Sequence, residues 1–374
     1  MRLIQDSKHL SEFCKMLQGS EWLAVDTEFM RESTYYPRFC LLQISNGAFS
    51  ACIDPIALTN LDALKPFFYN PLVLKIFHSG RQDLELLYQY WGRIPSPIFD
   101  TQIAASFLGM GDQIGYAAFV SNVLDVQLDK LQTRTDWYRR PLSDEQLHYA
   151  IDDVHFLSLA YSETTERLRE ISRLSWAHED SSALTNKTLY DIDPLNAWKR
   201  VSSSYHLDQR QLTNLICIAA WRELNCMSNN IPRNWLLRDD QLIKLAMTDK
   251  GTRLDDELHR TLGTDKTKRY KLDLKPIQQS IIDNHSITQM AALADRPQEL
   301  SPTAKATVSK LMQRTQDIAK KLNISPSTLA NKKDVTQLIV EPNKSRAVIG
   351  WRKDVIGDEL IALARKELTL VPDQ

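Results

Sequence analysis

Asp26 and Glu28 stand two residues apart in the apolar run Glu21–Phe29 (EWLAVDTEF). Side chains alternate between the faces of a strand, so both carboxylates fall on one face while Val25 and Thr27 take the other. Acids held so close raise each other's proton affinity, a penalty removed only when cations neutralise them. Asp83 follows the turn His78-Ser79-Gly80, one residue inside the predicted helix Gln82–Tyr90 and behind an apolar strand. The carboxyl ends of strands are where sites assemble in such sheets, which puts Asp83 within range of the first pair. Tyr149 and Asp153 are four apart on the predicted helix Asp144–Leu168 and share one of its faces. A phenol beside a carboxylate there can hold a water molecule. Asp152 is rotated away by about 100° and reads as a solvated neighbour. Taken singly, each acid is explained by a solvated strand end, a helix N-terminus or a surface helix pair. Their order and separations along one chain point to a shared site.

Positioning these groups requires a sheet with helices laid on it. Glu21–Phe29, Phe39–Ile44 and Phe49–Ile53 predict adjacent antiparallel strands. A helix Leu61–Phe68, a buried strand Leu72–Phe77 and a short strand Pro97–Asp100 follow, then helices Thr101–Leu108, Tyr116–Leu124 and Asp144–Leu168. Ser143 is the expected N-cap of the last helix, with Gln146 closing a capping box. Strand and helix alternate in the α/β manner. Residues 171–204 are polar, contain Pro194 and read as a connector; beyond them no strand alternation remains, and the rest is expected to be all-helical. Trp221–Ala246 and Ile318–Ile339 resemble each other, each with a Leu-Asn, a polar turn and a closing Gln-Leu-Ile, which suggests a duplicated helical domain.

Asp-x-Glu on a first strand, His-Ser-Gly-x-x-Asp after a later one and Tyr-x-x-x-Asp on a late helix together resemble the DEDDy exonucleases. The words VDTEFMRESTYYPRFCLLQIS, HSGRQDLELL, FDTQIAASFLG and DWYRRPLSDEQLHYAIDDVHFL are similar to the ribonuclease D branch of that family. The resemblance implies a ribonuclease-H-like exonuclease domain over residues 1–170, a mixed sheet flanked by helices. It implies 3′→5′ exoribonuclease activity releasing nucleoside 5′-monophosphates, with tRNA precursors or other RNA bearing a single-stranded 3′ end as substrate. Two Mg²⁺ or Mn²⁺ ions would be held by Asp26, Glu28, Asp83 and Asp153. Hard cations prefer carboxylate oxygen, and a pair of them roughly 3.5–4 Å apart suits in-line phosphodiester displacement. By analogy Asp26 would bridge both ions, Glu28 and Asp153 would complete the one that activates water, Asp83 would support the other, and Tyr149 would orient the water.

Aromatic and cationic side chains near these positions suit an unpaired strand, because rings stack on bases and cations track phosphates. Phe29, Arg134, Trp137 and Arg139 are the expected substrate contacts; Tyr35, Tyr36, Arg38, Lys130, Tyr138 and Arg140 lie in the same strings. In the helical half, LDQRQLTNLICIAAWRELNCMSNNIPRNWLLRDDQLIKLA resembles the helicase-and-ribonuclease-D C-terminal (HRDC) module, most clearly at Trp221-Arg222-Glu223 and Ile231-Pro232-Arg233. Leu215, Ile218, Ala219 and Leu224 are expected in its core. A first such module at 205–290 and a second, degenerate one at 291–374 complete the expected organisation.

A length of 374 residues predicts two or three domains. The net charge of −1 hides an asymmetry: residues 1–300 carry 33 Lys+Arg against 39 Asp+Glu, and residues 301–374 carry 13 against 8. Acids in the first part and a basic last segment suit a polyanionic substrate. Five cysteines without a C-x-x-C pair indicate neither a disulfide frame nor a thiolate zinc site. With no signal-peptide core and no run of 18 uncharged apolar residues, the expectation is a cytosolic protein without a membrane segment, and nothing demands more than a monomer. Two rival readings are a 3′→5′ DNA exonuclease, disfavoured by the lack of polymerase or helicase motifs, and a non-catalytic RNA-binding scaffold, disfavoured by the intact acidic set.

Overall fold

A two-residue strand, β1 (Leu3–Ile4), and a helix, α1 (Ser7–Met16), precede the expected elements. Too short to show periodicity, β1 finds its place by parallel pairing with β4. The computed structural model describes residues 3–128, 135–202, 204–248, 254–269 and 300–369. Within them β2 (Trp22–Met30), β3 (Arg38–Ser45), β4 (Ser50–Ile53), β5 (Leu74–Phe77) and β6 (Ile98–Asp100) form where the apolar runs predict strands. The sheet order is β1-β4-β3-β2-β5-β6; β3 and β4 are antiparallel, while β5 runs parallel to both β2 and β6. It is therefore mixed, with the acid-bearing β2 in its interior.

The expected helix Leu61–Phe68 divides into a 3₁₀ turn, Asp62–Leu64, and α2 (Lys65–Phe68). Helices α3 (Arg81–Trp91), α4 (Thr101–Phe107), α5 (Tyr116–Leu124) and α6 (Asp144–Glu170) follow the predicted periodicity. Ser143 and Gln146 form the capping box of α6, each side chain meeting the other's backbone N–H. One face of the sheet packs Leu23, Val25, Leu42 and Ile44 against α1 and α3. On the other, Val154 and Leu157 of α6 cover Ala24 and Ile76.

Two compact units emerge, one of residues 1–29, 39–190 and 300–374, the other of residues 30–38 and 191–299. They do not follow the expected boundaries at 170 and 204, and the expected boundary at 290 lies outside the described residues. The stretch expected as a connector begins with α7 (Leu174–Ser182), whose Trp176 stacks on Trp351 with centroids 4.3 Å apart. Asp180 accepts from both Nη atoms of Arg352, and Asp112 accepts from Ser325 and Thr328 hydroxyls, so the C-terminal helices share the first unit. Such partners are distant in sequence and invisible to local pattern. Gly350 lies at this seam with φ +56°, and a Cβ there would fall 1.4 Å from Glu179 Oε1. Gly350→Ala should therefore lower stability by about 1–3 kcal/mol, read as a reduced melting temperature; an unchanged melt would show that the seam yields freely.

In the second unit, α8 (Gln209–Asn229) buries Leu212, Leu215, Ile218 and Ala219. Leu224 departs from the expectation and is 52% exposed, because nine residues of helix place it opposite Leu215. Arg222 and Glu223 are buried: Arg222 donates to Leu237 O and Asp239, and Glu223 accepts from Arg233. The two words that resemble the HRDC module are thus joined into one clamp. Tyr35 belongs to the same node, its hydroxyl donating to Glu223, and is buried instead of facing a base.

The internal repeat has a structural counterpart in a different register. Both copies have a 21-residue helix, Gln209–Asn229 and Pro302–Leu322, closed by a left-handed Asn, Asn230 (φ 48°) and Asn323 (φ 52°). Each is followed by a four-residue helix, Arg233–Leu236 or Pro326–Leu329, and then a longer one, Asp239–Ala246 or Lys332–Val340. Asn225, matched to Asn323 in sequence, lies inside that helix, four residues before its end. Among the described residues no helix is long and apolar enough to cross a membrane, and all five cysteines are free.

Candidate active site

Strand β2 delivers Asp26 and Glu28 to the face covered by α6, and α6 delivers Asp153 to meet them. One carboxylate oxygen from each lies within 4.8 Å of the others. The Tyr116 hydroxyl of α5 donates to the Asp153 carbonyl and fixes this turn of α6. Tyr149, one turn earlier, is hydrogen-bonded through its side chain to the Asp153 carboxylate. Asp83 occupies the first turn of α3 and stands apart from the trio, its Oδ1 accepting from the Thr27 hydroxyl. It still acts on the pair: after burial, the charge of Asp83 is the largest influence raising the proton affinity of Asp26. The turn before α3 is locked by Asp100, whose carboxylate accepts from Ser79 N at 3.1 Å and Gly80 N at 2.8 Å. The same carboxylate caps α4 through Gln102 N and Ile103 N.

Every acid of the group holds its proton more tightly than usual. Burial, then the charges of Asp83, Asp153 and Glu28, push Asp26 well above the carboxylate range. Burial, then Asp153 and Asp83, push Glu28 up to about 9. Burial raises Asp153 to about 7 against the Tyr149 hydrogen bond, and Asp83 to about 6 against that of Thr27. Among the described residues, no lysine or arginine is among the largest influences on these four acids. Converging carboxylates that raise one another's proton affinity are a donor set that fits a hard divalent cation. The Tyr149 phenol is also raised, by burial first and then by Asp153, so it stays a neutral donor.

A pH dependence follows. With folded values above unfolded ones, the folded state binds more protons between about pH 4 and 9, and the metal-free protein loses stability as pH rises through that window. Melting temperatures in chelator should fall from pH 5 to pH 9, and saturating Mg²⁺ should reverse the fall most strongly at the high end. A flat profile in chelator would contradict the mutual repulsion of these acids.

The 3′-5′ exonuclease family model matches residues 1–169, the segment that contains this whole constellation. Along the full length the chain is 35% identical to ribonuclease D of Sphingobium indicum, over 98% of this chain and 95% of the relative. It is 32% identical to ribonuclease D of Granulibacter bethesdensis, over 99% and 94%. The chain belongs to the ribonuclease D family. Its fold is similar to the crystal structure of Escherichia coli RNase D, an exoribonuclease involved in structured RNA processing, with a TM-score of 0.83 at 26% identity and 98% of each chain covered. The ribonuclease D match thus extends through the helical half as well as the sheet domain.

Around this constellation the expected substrate contacts take different positions. Arg139 is exposed, and Phe29 is half-buried at the end of β2. Arg134 and Lys130 lie outside the described residues. Trp137, expected to stack on a base, is 3% exposed and packs beside Tyr149 with centroids 6.1 Å apart, so it offers no free face. The accessible ring of that word is Tyr138, 48% exposed. Arg140 is not available to phosphate either. Its Nε and Nη2 donate to the buried Asp54 at 2.7 and 2.8 Å, and Nη2 also donates to Cys40 O, which ties the segment before α6 to β3 and β4. Thr27, Asp54 and Asp100 escaped sequence reasoning because their partners are 20 to 86 residues away. The basic excess after residue 300 is reduced by pairing: Lys310, Arg314, Lys344, Arg346, Arg352 and Lys353 all face carboxylates.

Proposed function

We propose that this chain hydrolyses RNA from the 3′ end, one nucleotide at a time, releasing nucleoside 5′-monophosphates, and that it acts as a monomer on tRNA precursors with a short single-stranded 3′ tail. The observation that carries this reading is the convergence of Asp26, Glu28 and Asp153 with no described lysine or arginine among the largest influences on them, in a chain related to ribonuclease D over its full length. Asp26, Glu28 and Asp153 would hold one divalent cation, and Asp26 with Asp83 a second, Mg²⁺ or Mn²⁺ in either case. When bound, such ions lower the pKa of the attacking water and neutralise the scissile phosphate. Donating its proton to Asp153, the Tyr149 hydroxyl keeps lone pairs free to accept from that water and orient it. Water adds to phosphorus as the 3′ oxygen of the penultimate nucleotide leaves. Trp137 backs Tyr149, and the Arg140–Asp54 pair holds both in place.

The helical repeats are read as HRDC-type modules that grip the body of the RNA, and Arg139 and Phe29 as contacts to its tail. Arg139→Ala should weaken RNA binding several-fold for all sequences and reduce the slope of log affinity against log salt by about 1. An unchanged slope would place Arg139 off the RNA path. The test of the whole reading is to incubate the purified protein with a pool of tRNA precursors and matched RNA and DNA oligonucleotides in Mg²⁺, then sequence the products. Trimming confined to 3′ ends and faster on RNA is expected, since the 2′-OH distinguishes the two substrates. Equal or faster loss of DNA, or binding without nucleotide release, would overturn it.

A further inference from the structure

Gln43 on β3 is fully buried, and neither Nε2 nor Oε1 has a hydrogen-bond partner among the described residues. Strand β3 lies between β2, which carries Asp26 and Glu28, and β4. Leu42 and Ile44 pack with Leu23 and Val25 of β2 and Ala51 and Ile53 of β4 on one face of the sheet. Alternation therefore turns Gln43 to the other face, the face of Asp26 and Glu28. Its partner on β4 is Cys52, and residues directly opposite in an antiparallel pair project to the same side. The Cys52 thiol is pushed up by burial first and then by the charges of Glu28 and Asp153, so this part of the sheet lies within the field of the acidic cluster.

A carboxamide buried with both ends unpaired is costly and uncommon, and Leu or Met would fill the same space without that cost. The group needs a partner that no described residue gives it. We propose that Gln43 is a positioning residue for the metal-ligating pair Asp26 and Glu28, its Nε2 donating to a carboxylate oxygen that the cation leaves free. Outer hydrogen bonds of this kind orient ligating carboxylates, and their loss typically weakens metal affinity by about 10–100-fold. The inference rests on the metal-dependent reading of the site, and its test separates the two.

Full-length protein stripped with chelator is titrated with MnCl₂ by calorimetry in the absence of RNA, and its metal-free melting temperature is recorded. Wild type is compared with Gln43→Leu, Gln43→Met and Asp26→Asn. Both Gln43 variants should melt at or above the wild-type temperature without metal, yet bind Mn²⁺ at least about 10-fold more weakly. If Gln43→Leu does not fold, Gln43→Met, unbranched and of similar length, decides. Wild-type Mn²⁺ affinity in the Gln43 variants, with or without a lower melting temperature, overturns the proposal and makes the amide part of the scaffold. Failure of wild type to bind Mn²⁺, or undiminished binding by Asp26→Asn, would instead sink the metal-dependent reading and the Gln43 proposal with it.

Discussion

Asp26→Asn is expected to reduce Mg²⁺-dependent release of 3′ nucleotides by at least about 10³-fold while raising the melting temperature of the metal-free protein. Both effects come from one cause. Asp26 is the acid acted on by all three of the others, Asp83, Asp153 and Glu28. Removing its charge relieves repulsion in the absence of metal and removes the group proposed to serve both cations. Asparagine preserves the shape, so no cavity opens. Release from a 3′-labelled RNA and thermal melts in chelator check the two halves. Substantial activity in the variant would take Asp26 out of the chemistry, and a lowered metal-free melt would show that its carboxylate is held by compensating contacts.

Tyr149→Phe should lower kcat by about 10²-fold, at the lower end of what positioning or proton-transfer groups contribute, with KM and Mn²⁺ affinity nearly unchanged. The ring itself is supported by Trp137, so phenylalanine should keep its place and the fold its stability. Only the hydroxyl is lost, and with it the donor to Asp153 and the acceptor for the water. Because burial and the neighbouring acids hold that phenol protonated, the wild-type rate should show no limb near pH 10 that vanishes in the variant. Steady-state kinetics across pH on a 3′-tailed RNA decide the matter. A loss appearing mainly in KM would make Tyr149 a substrate contact.

What local order can encode was legible before any coordinates. Alternation put Asp26 and Glu28 on one face of β2, and helical periodicity put Tyr149 beside Asp153 on α6. The Ser143–Gln146 capping box and the bounds of α5 follow from neighbours a few residues apart. These features depend on periods of two and 3.6 residues and on short-range hydrogen bonds, which a chain carries wherever it folds.

Other features depend on what each residue meets after the chain has closed on itself. Trp137 reads as a stacking surface in its sequence string, but it is buried behind Tyr149 once Arg140 has been drawn to Asp54. Leu224 looks like part of an apolar stripe until the helical phase and the single packed face of α8 are known. Residues 291–374 read as a separate module, yet Arg352 and Trp351 bind its described part to α7, and residues 300–374 fall in the first unit. Asp83 shows the division within the site itself. Its residue type, turn and helix were visible in sequence, whereas its hold by Thr27 and its influence on Asp26 arise from partners more than 50 residues away. Sequence by itself thus determined which acids stand on which faces, because that is set by local backbone period. Only tertiary structure decided which of them converge, and which aromatic and cationic neighbours remain open to RNA, because burial and charge coupling are properties of the packed chain.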